Sequence, residues 1–204
     1  MIINKNIVSS LPLSDVCERE VLRYAKTNES DLQSCKILRE CKNELLPLLK
    51  SLSVFRIVEV KRDENELRIA DIPLKSNSIS NLLKDAEYAV LFVASIGLGA
   101  DIFISKYEKI SIAKAHISDA LATERIESLC DAVDAFIKDE LKKEGYETTH
   151  RFSAGYGDLG IEFQREIFKI LTPEKHIGVT LNESLIMSPS KSVSAIIGVK
   201  KINQ

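Results

Sequence analysis

Apolar residues recur every three or four positions in the first part of the chain, a spacing that predicts two amphipathic helices. The first is expected to run from a capping Ser14 to about Lys26, and the second to follow a capping Ser30. Pro47 should kink or end the second helix, because proline removes a backbone donor and clashes with the preceding turn. We interpret residues 1–50 as an N-terminal helical segment.

Runs rich in β-branched and apolar residues follow this segment and predict strands. These runs are 54–61, 66–72, 88–96, 179–187 and 193–200. Asp63, Glu64 and Asn65 separate the first two runs, which predicts a hairpin. The run 88–96 is almost continuously apolar, as in a strand that is buried on both faces, so we expect it at the centre of the sheet.

Two further helices are predicted among these strands. One spans residues 113–144, with an apolar face, a charged face that should be solvated, and Gly145 as its C-terminal cap. The other is expected to be capped by Asp158 and ended by Pro173. Because helices and strands follow one another irregularly, the pattern favours an α+β fold with an antiparallel or mixed twisted sheet and flanking helices.

Length and composition are those of a globular domain. With 204 residues, of which 45% are hydrophobic, the chain can bury a core without a disulfide or a metal. We expect one compact domain overall, in which residues 51–204 form the core that follows the N-terminal segment.

Charge and apolar content exclude several classes of protein. The 28 Lys and Arg residues are balanced by 30 Asp and Glu residues, so the basic excess of a nucleic-acid-binding protein is absent. We find no secretory signal and no apolar run of about 20 residues, so no membrane partner is expected. Four cysteines without a C-x-x-C spacing indicate reduced thiols and a cytoplasmic protein.

The residues that usually carry metal or hydrolytic chemistry are scattered. His116, His150 and His176 lie far apart in the sequence and form no ligand pair, so no metal site is expected. No Ser-His-Asp or Cys-His set is recognisable, so no catalytic residue is predicted.

Two short motifs are interpreted without a function. The segment 95–100, Ser-Ile-Gly-Leu-Gly-Ala, is similar to a dinucleotide-binding turn, but Ile102 stands where that motif needs glycine or alanine. We interpret it as a turn whose glycines allow positive φ. The segment 188–191 matches the S-x-x-K pattern of penicillin-recognising enzymes, but no S-D-N or K-T-G motif follows it.

The segment from Arg151 to Asp158 is the strongest candidate site, because polar, aromatic and glycine residues are concentrated there without a helix or strand period. An arginine can hold a carboxylate through two charge-assisted hydrogen bonds, and glycines let the backbone approach a ligand closely. Tyr156 would add a flat wall and a hydroxyl. The alternative is an ordinary loop in which Arg151 pairs with a surface carboxylate.

The same segment carries a resemblance to a known family. Arg151-x-x-x-Gly155-Tyr156 is similar to the R-x-x-x-G-Y motif with which the activation domain of cobalamin-dependent methionine synthase binds S-adenosylmethionine. The similarity continues in family order through the segments 174–184, 187–189 and 192–194. Gly157 departs from the proline that commonly follows the motif tyrosine in the long enzymes.

The resemblance implies a set of ligand contacts. Arg151 would hold the carboxylate of S-adenosylmethionine, while the backbone around Ala154 and Gly155, together with Tyr156, would hold the rest. An acidic residue of the long helix contributes in the family; Glu127 is the first candidate for it, and Asp131 is the second. The cobalt of cobalamin belongs to the partner, so the resemblance implies no metal ligand here.

The resemblance also implies a function. The chain would be a reactivation subunit that binds S-adenosylmethionine and supports the reductive methylation of cob(II)alamin, without turnover of its own. Its partner would be a cobalamin-dependent methionine synthase or a related corrinoid methyltransferase subunit, served by a flavodoxin-like or ferredoxin-like electron donor. The alternative is a ligand-free interaction or assembly partner of a corrinoid methyltransferase with the same fold.

Overall fold

A computed structural model describes residues 4–63 and 66–202. A short 3₁₀ turn, Leu46–Leu48, joins the second helix to the second strand. The helices and strands are, in chain order, β1 (Ile7–Ser9), α1 (Glu18–Tyr24), α2 (Leu32–Leu45), β2 (Leu52–Asp63), β3 (Glu66–Ile69), β4 (Ile72–Leu74), α3 (Asn77–Leu82), β5 (Tyr88–Ser95), α4 (Gly99–Glu108), α5 (Ile112–Lys143), β6 (Tyr146–Thr148), α6 (Phe163–Leu171), α7 (Pro173–His176), β7 (Thr180–Leu181), β8 (Met187–Ser188) and β9 (Ser192–Lys201).

Seven strands form one antiparallel sheet in the order β4-β3-β2-β5-β9-β6, with β1 paired to β2 outside that path. The predicted α+β class with an antiparallel sheet is therefore confirmed. The central position predicted for β5 is also confirmed, because this strand lies between β2 and β9. The predicted hairpin is formed by β2 and β3, where Asp63 pairs with Glu66; its turn residues Glu64 and Asn65 lie outside the described residues.

Helices cover both faces of the sheet, as expected for strands with apolar residues on both sides. On one face α1, α2, α4 and α5 pack against alternate residues of the three central strands, and on the other face α3 and α6 pack against the residues between them. The first set of strand residues is Phe55, Ile57, Val90, Phe92, Ala94, Ala195, Ile197 and Val199. The second set is Val54, Val58, Ala89, Leu91, Val93 and Ile196. None of the helices within the described ranges combines the length and the apolar character that crossing a membrane requires.

The N-terminal helices begin later than predicted. α1 starts at Glu18 rather than after Ser14, because the carbonyl groups of Ser14 and Asp15 accept hydrogen bonds from Arg125 and are not available to a helix. α2 is capped by Asp31 rather than Ser30, since the carboxylate of Asp31 accepts bonds from the first-turn backbone amides. α2 ends before Pro47, as the ring geometry of proline requires.

The charged face predicted for the long helix is not solvated throughout. Glu124 and Arg125 on α5 are buried, at 6% and 3% exposure. Both Arg125 Nε and Nη2 donate to the carboxylate of Glu124, at 2.5 and 2.6 Å, and Glu124 also accepts from the backbone amide of Cys17. The pair is buried because residues 14–17 lie against it and are bound by it. The residue pattern along α5 alone could not indicate this contact.

The positive φ predicted for the glycines of the turn before α4 is found at Gly97 but not at Gly99. Gly97 has a φ of +82°, which glycine adopts without a steric penalty. Gly99 begins α4 beside the 3₁₀ turn, and a Cβ atom there would lie 2.3 Å from the carbonyl oxygen of Leu48. Its role is thus close packing between two backbones.

Two predictions for the last third of the chain are wrong. Asp158 does not cap α6, which begins at Phe163; its carboxylate instead accepts hydrogen bonds at the start of α3, far away in the sequence. The predicted strand 179–187 is divided into β7 and β8, because Asn182 forms a tight turn with Ile186 through both backbone and side chain. The final predicted strand is confirmed as β9.

Candidate functional site

The candidate loop, residues 151–158, passes along the edge of the sheet between β6 and α6. Phe152 exchanges two backbone hydrogen bonds of 2.8 Å with Ile196 of β9, so the loop begins as a short extension of the sheet. Ala154 and Leu159 are buried in the core that includes α6. Arg151 points the other way, toward α5. The loop therefore contacts α5 on one face of the sheet and α6 on the other.

Glycine allows the tight path of this loop. Gly155 has a φ of +89° and Gly157 a φ of +56°, both in the left-handed region that favours glycine. The backbone amide of Gly155 donates to the carbonyl of Leu159 at 2.9 Å, and the amide of Leu159 donates to the carbonyl of Tyr156 at 3.1 Å. In this closed turn Tyr156 is 69% exposed.

Arg151 is bound by three carboxylates from one face of α5. Its Nη2 donates to Glu127 at 2.8 Å, and its Nη1 donates to Asp131 and Asp134 at 2.7 Å each. The three acids share a face because they are four and three residues apart in a helix. Burial lowers the pKa of the Arg151 guanidinium, but the hydrogen bonds with Asp131 and Asp134 outweigh it and hold that pKa above its ordinary value.

The acidic groups around Arg151 outnumber its single positive charge. Asp134 is the least exposed of them, and burial raises the pKa of its carboxyl although Arg151 acts in the opposite direction. Its Oδ1 atom is buried and has no hydrogen-bond partner within the part of the chain that the structure describes. Even with Asp134 protonated, Glu127 and Asp131 leave an excess of negative charge beside Arg151.

A nearby thiol is chemically inert. Burial raises the pKa of the Cys130 thiol to about 12, so this cysteine remains protonated at neutral pH. A protonated thiol is a poor nucleophile and a poor metal ligand. Cys130 therefore serves the packing of α5.

A cavity of about 410 Å³ lies between the loop, α5, α6 and β9. Of the five residues predicted to contact a ligand, Glu127, Arg151, Ala154 and Tyr156 line it, while Gly155 sits in the chain between two lining residues. Asp131 reaches the site through its bond with Arg151. The remaining lining residues are Phe152, Ser153, Gln164, Met187, Ser192, Val193 and Ser194. Gln164 is the one among them that lies outside the candidate segment and the segments of the family resemblance.

The N-terminal segment packs against α5 beside the site. A second cavity, of about 570 Å³, has Glu127 in common with the first and is also lined by residues of the segment that precedes and includes α1. The buried Glu124–Arg125 pair lies one turn before Glu127 and binds that segment. Glu127 thus stands where the loop, the long helix and the N-terminal segment approach one another.

The remaining candidate groups take structural roles. In residues 4–63 and 66–202, no group of three or more histidine, cysteine or acidic side chains could hold a metal ion. Lys191, the lysine of the S-x-x-K match, contacts Asp119 and Thr123 at 2.8 and 2.9 Å. His116 bonds the carbonyl of Ala25, joining α5 to the end of α1. Lys191 and His116 therefore join neighbouring parts of the fold.

One comparison with known proteins identifies a family. Residues 59–202 match the family described as the activation domain of vitamin B12-dependent methionine synthase. No curated protein sequence matches the chain.

The fold also has a counterpart among solved structures. The MetH reactivation domain bound to AdoHcy superposes with a TM-score of 0.70 at 16% sequence identity, over 98% of this chain and 80% of that one. The likeness of the fold thus extends beyond the matched residues and includes most of the N-terminal segment. Since the family match covers well over half of its residues, the chain belongs to the family of activation domains of vitamin B12-dependent methionine synthases.

Proposed function

We propose that this protein binds S-adenosylmethionine in the cavity at the sheet edge and acts as a reactivation subunit for a cobalamin-dependent methionine synthase. The observation that carries the proposal is that Arg151 and Tyr156 of the loop motif line the same cavity as Glu127 of α5. Two segments that are remote in sequence, each proposed from the family resemblance, meet at one site.

The size and chemistry of the cavity fit this ligand. Small-molecule pockets in proteins have volumes of roughly 300–1,000 Å³, and this cavity has about 410 Å³. S-adenosylmethionine has a carboxylate and an ammonium group at one end and a positively charged sulfonium near its centre. The site offers one guanidinium and several carboxylates, which matches a ligand with two positive charges and one negative charge.

Arg151 can serve the protein and the ligand together. An arginine has five N–H donors, and the three bonds to α5 leave one N–H of Nη2 and the N–H of Nε for a ligand carboxylate. Its acidic partners hold the guanidinium in a single orientation, so little side-chain freedom is lost on binding. In our proposal Glu127 faces the ligand ammonium, since its side chain is 44% exposed and lines the cavity.

The loop supplies the remaining proposed contacts. In the proposed complex the backbone at Ala154 and Gly155 contributes polar contacts, and the exposed ring of Tyr156 offers a flat surface to the ligand. When bound, S-adenosylmethionine supplies the methyl group for remethylation. The residues of this chain bind and orient it.

The partner would bring the cobalt. Because membership of this family implies a cobalamin-binding partner, we propose that the partner is a cobalamin-dependent methionine synthase or a related corrinoid methyltransferase subunit. A flavodoxin-like or ferredoxin-like protein would supply the electron, and the encounter would take place in the cytoplasm. The chain alone would have no turnover.

A second candidate is a ligand-free assembly partner of a corrinoid methyltransferase. It is favoured by one observation: Arg151 is already bound by three carboxylates, as in a loop whose arginine has a structural role. The two functions differ in whether the purified chain binds S-adenosylmethionine.

Calorimetry followed by reconstitution tests the proposal. The protein should bind S-adenosylmethionine, and it should restore a cobalamin-dependent methionine synthase that lacks its own activation domain. The truncated synthase is poised as cob(II)alamin with S-adenosylmethionine and an electron donor, and the formation of methylcobalamin is followed by absorbance. Equal formation without the added protein would refute the reactivation function, and absence of binding at millimolar ligand would favour the assembly partner.

A further inference from the structure

Asp158 connects the candidate loop to a distant helix. Its Oδ1 accepts a hydrogen bond from the Ser76 hydroxyl at 2.6 Å and one from the Ser78 amide at 3.1 Å, and its Oδ2 accepts from the Asn77 amide at 2.6 Å. Eighty residues or more separate these partners along the chain. The bonds to Ser76, with those to Ser78 and Asn77, hold the pKa of the Asp158 carboxyl below its usual range, so the anchor is ionised at neutral pH.

The residue next to Asp158 approaches α3 just as closely. A Cβ atom at Gly157 would lie 2.8 Å from the hydroxyl oxygen of Ser78, and the φ of +56° at Gly157 would strain any other residue. The backbone at Gly157 therefore packs closely against the start of α3, the same segment that binds Asp158. The two observations are independent, since one depends on a side chain and the other on the backbone path.

The loop is thus held at both ends. At its start, Phe152 is bound to β9 by two backbone hydrogen bonds, and at its end Asp158 is bound to α3. Between these anchors lie Gly155 and Tyr156, which the proposed function places at the ligand. Glycine has more backbone freedom than any other residue, so a loop with two glycines depends on its anchors for a defined shape.

We propose that Asp158 is a positioning residue: by fixing the loop to the start of α3, it holds Gly155 and Tyr156 in the shape that binds the ligand. This inference rests on the proposed function. The physical reason is that a loop ordered before binding does not lose that freedom when the ligand arrives, so affinity rises without a new contact. Asp158 itself does not line the cavity at the sheet edge.

The experiment compares anchor variants with a matched control. Asp158→Ala removes all three bonds, whereas Asp158→Asn keeps one acceptor oxygen and should have an intermediate effect. The control is Asp31→Ala at the start of α2. The Asp31 carboxylate likewise accepts from two backbone amides and a serine hydroxyl, and in addition from the Thr27 hydroxyl, and no residue of α2 lines the cavity. Each protein is titrated with S-adenosylmethionine well below its melting temperature, and backbone hydrogen exchange is measured by peptide.

We expect Asp158→Ala to weaken binding by about tenfold or more and to speed exchange in peptides covering 151–157, while peptides covering 163–171 remain unchanged. Asp31→Ala should bind as the unaltered protein does. Equal binding by Asp158→Ala, or equal weakening by both alanine variants, would overturn the inference, because the effect would then be absent or global. If the unaltered protein does not bind, the proposed function and the ligand part of this inference fail together; unchanged exchange in 151–157 would then refute the anchor as well.

Discussion

Replacing Arg151 by alanine should reduce both ligand binding and stability, and the two effects can be separated. The substitution leaves Glu127, Asp131 and Asp134 together on one face of α5 without a cation. In the folded protein these like charges repel one another, whereas in the unfolded chain they are farther apart and solvated. The free energy of unfolding should therefore fall.

The magnitude follows from how exposed each partner is. Glu127 and Asp131 are 44% and 73% exposed, so each of these ion pairs contributes roughly 0.2–1 kcal/mol. Asp134 is 30% exposed and has a buried oxygen, and an uncompensated buried charge costs up to about 3–5 kcal/mol. A total of about 2–3 kcal/mol at neutral pH is expected, which lowers Tm by roughly 5–10 °C in a domain of this size.

The loss should shrink as the pH falls. Burial already raises the pKa of Asp134, and removal of Arg151 would raise it further. A carboxyl with a raised pKa in the folded state destabilises the protein above that pKa, and the penalty disappears as protonation proceeds. Compared with the unaltered protein, Arg151→Ala should therefore be least stable near neutral pH and should recover as the pH falls through the raised pKa of Asp134.

Urea unfolding at neutral pH and at a series of lower pH values measures this change in the free energy of unfolding. A double variant separates the effect on stability from the effect on binding. Arg151→Ala with Asp134→Asn removes the buried negative charge and should regain most of the lost free energy of unfolding, yet it should still fail to bind S-adenosylmethionine. Normal binding by the double variant would show that Arg151 is only structural. An unchanged free energy of unfolding in the single variant would refute the electrostatic reasoning.

Three further substitutions test other parts of the site and fold. Gly155→Val places a branched residue at a φ of +89°, with its Cβ atom 3.1 Å from the Cδ1 atom of Ile161. The substitution should lower the free energy of unfolding by about 1–3 kcal/mol and abolish ligand binding in calorimetry, while circular dichroism shows the fold retained. Glu127→Gln removes the negative charge proposed to face the ligand ammonium, a group that S-adenosylmethionine and S-adenosylhomocysteine share, so it should weaken binding of both ligands to a similar extent in calorimetry; a loss confined to S-adenosylmethionine would refute the contact with the ammonium. Gly99→Ala brings a Cβ atom within 2.3 Å of the Leu48 carbonyl oxygen and should lower the free energy of unfolding by about 1–3 kcal/mol, with an unchanged urea midpoint as the contrary result.

The elements that the sequence predicted well are those set by local patterns. The continuous apolar run of β5 and the long period of α5 each determine their element with little help from the rest of the chain. Asp158 shows the limit of this reasoning, because a capping residue can serve any helix start that the fold brings near it. It precedes α6 in the sequence, but in space it meets α3.

Only part of the candidate site could be predicted from the sequence. Arg151 and Tyr156 stood out because no helix or strand period explained them, and Glu127 came from the family resemblance. The segment 192–194 belongs to the family resemblance, but the sequence alone could not place Ser192 and Ser194 in the cavity, because they line it only where β9 pairs with Phe152. The buried Glu124–Arg125 pair was likewise hidden, since adjacent charges on a helix usually face water.

The uninterrupted 32-residue span of α5 has a consequence for how this site can diverge. One helix carries the anchor for the N-terminal segment and, on the following turns, the acids that bind Arg151, so their relative directions depend on a single helical phase. Inserting one residue between Arg125 and Glu127 would rotate everything after it by about 100° and carry the acids away from the loop. Substitutions leave that phase intact, whereas insertions and deletions break it. The helix can therefore tolerate extensive change in residue identity while its length between these two points must stay constant.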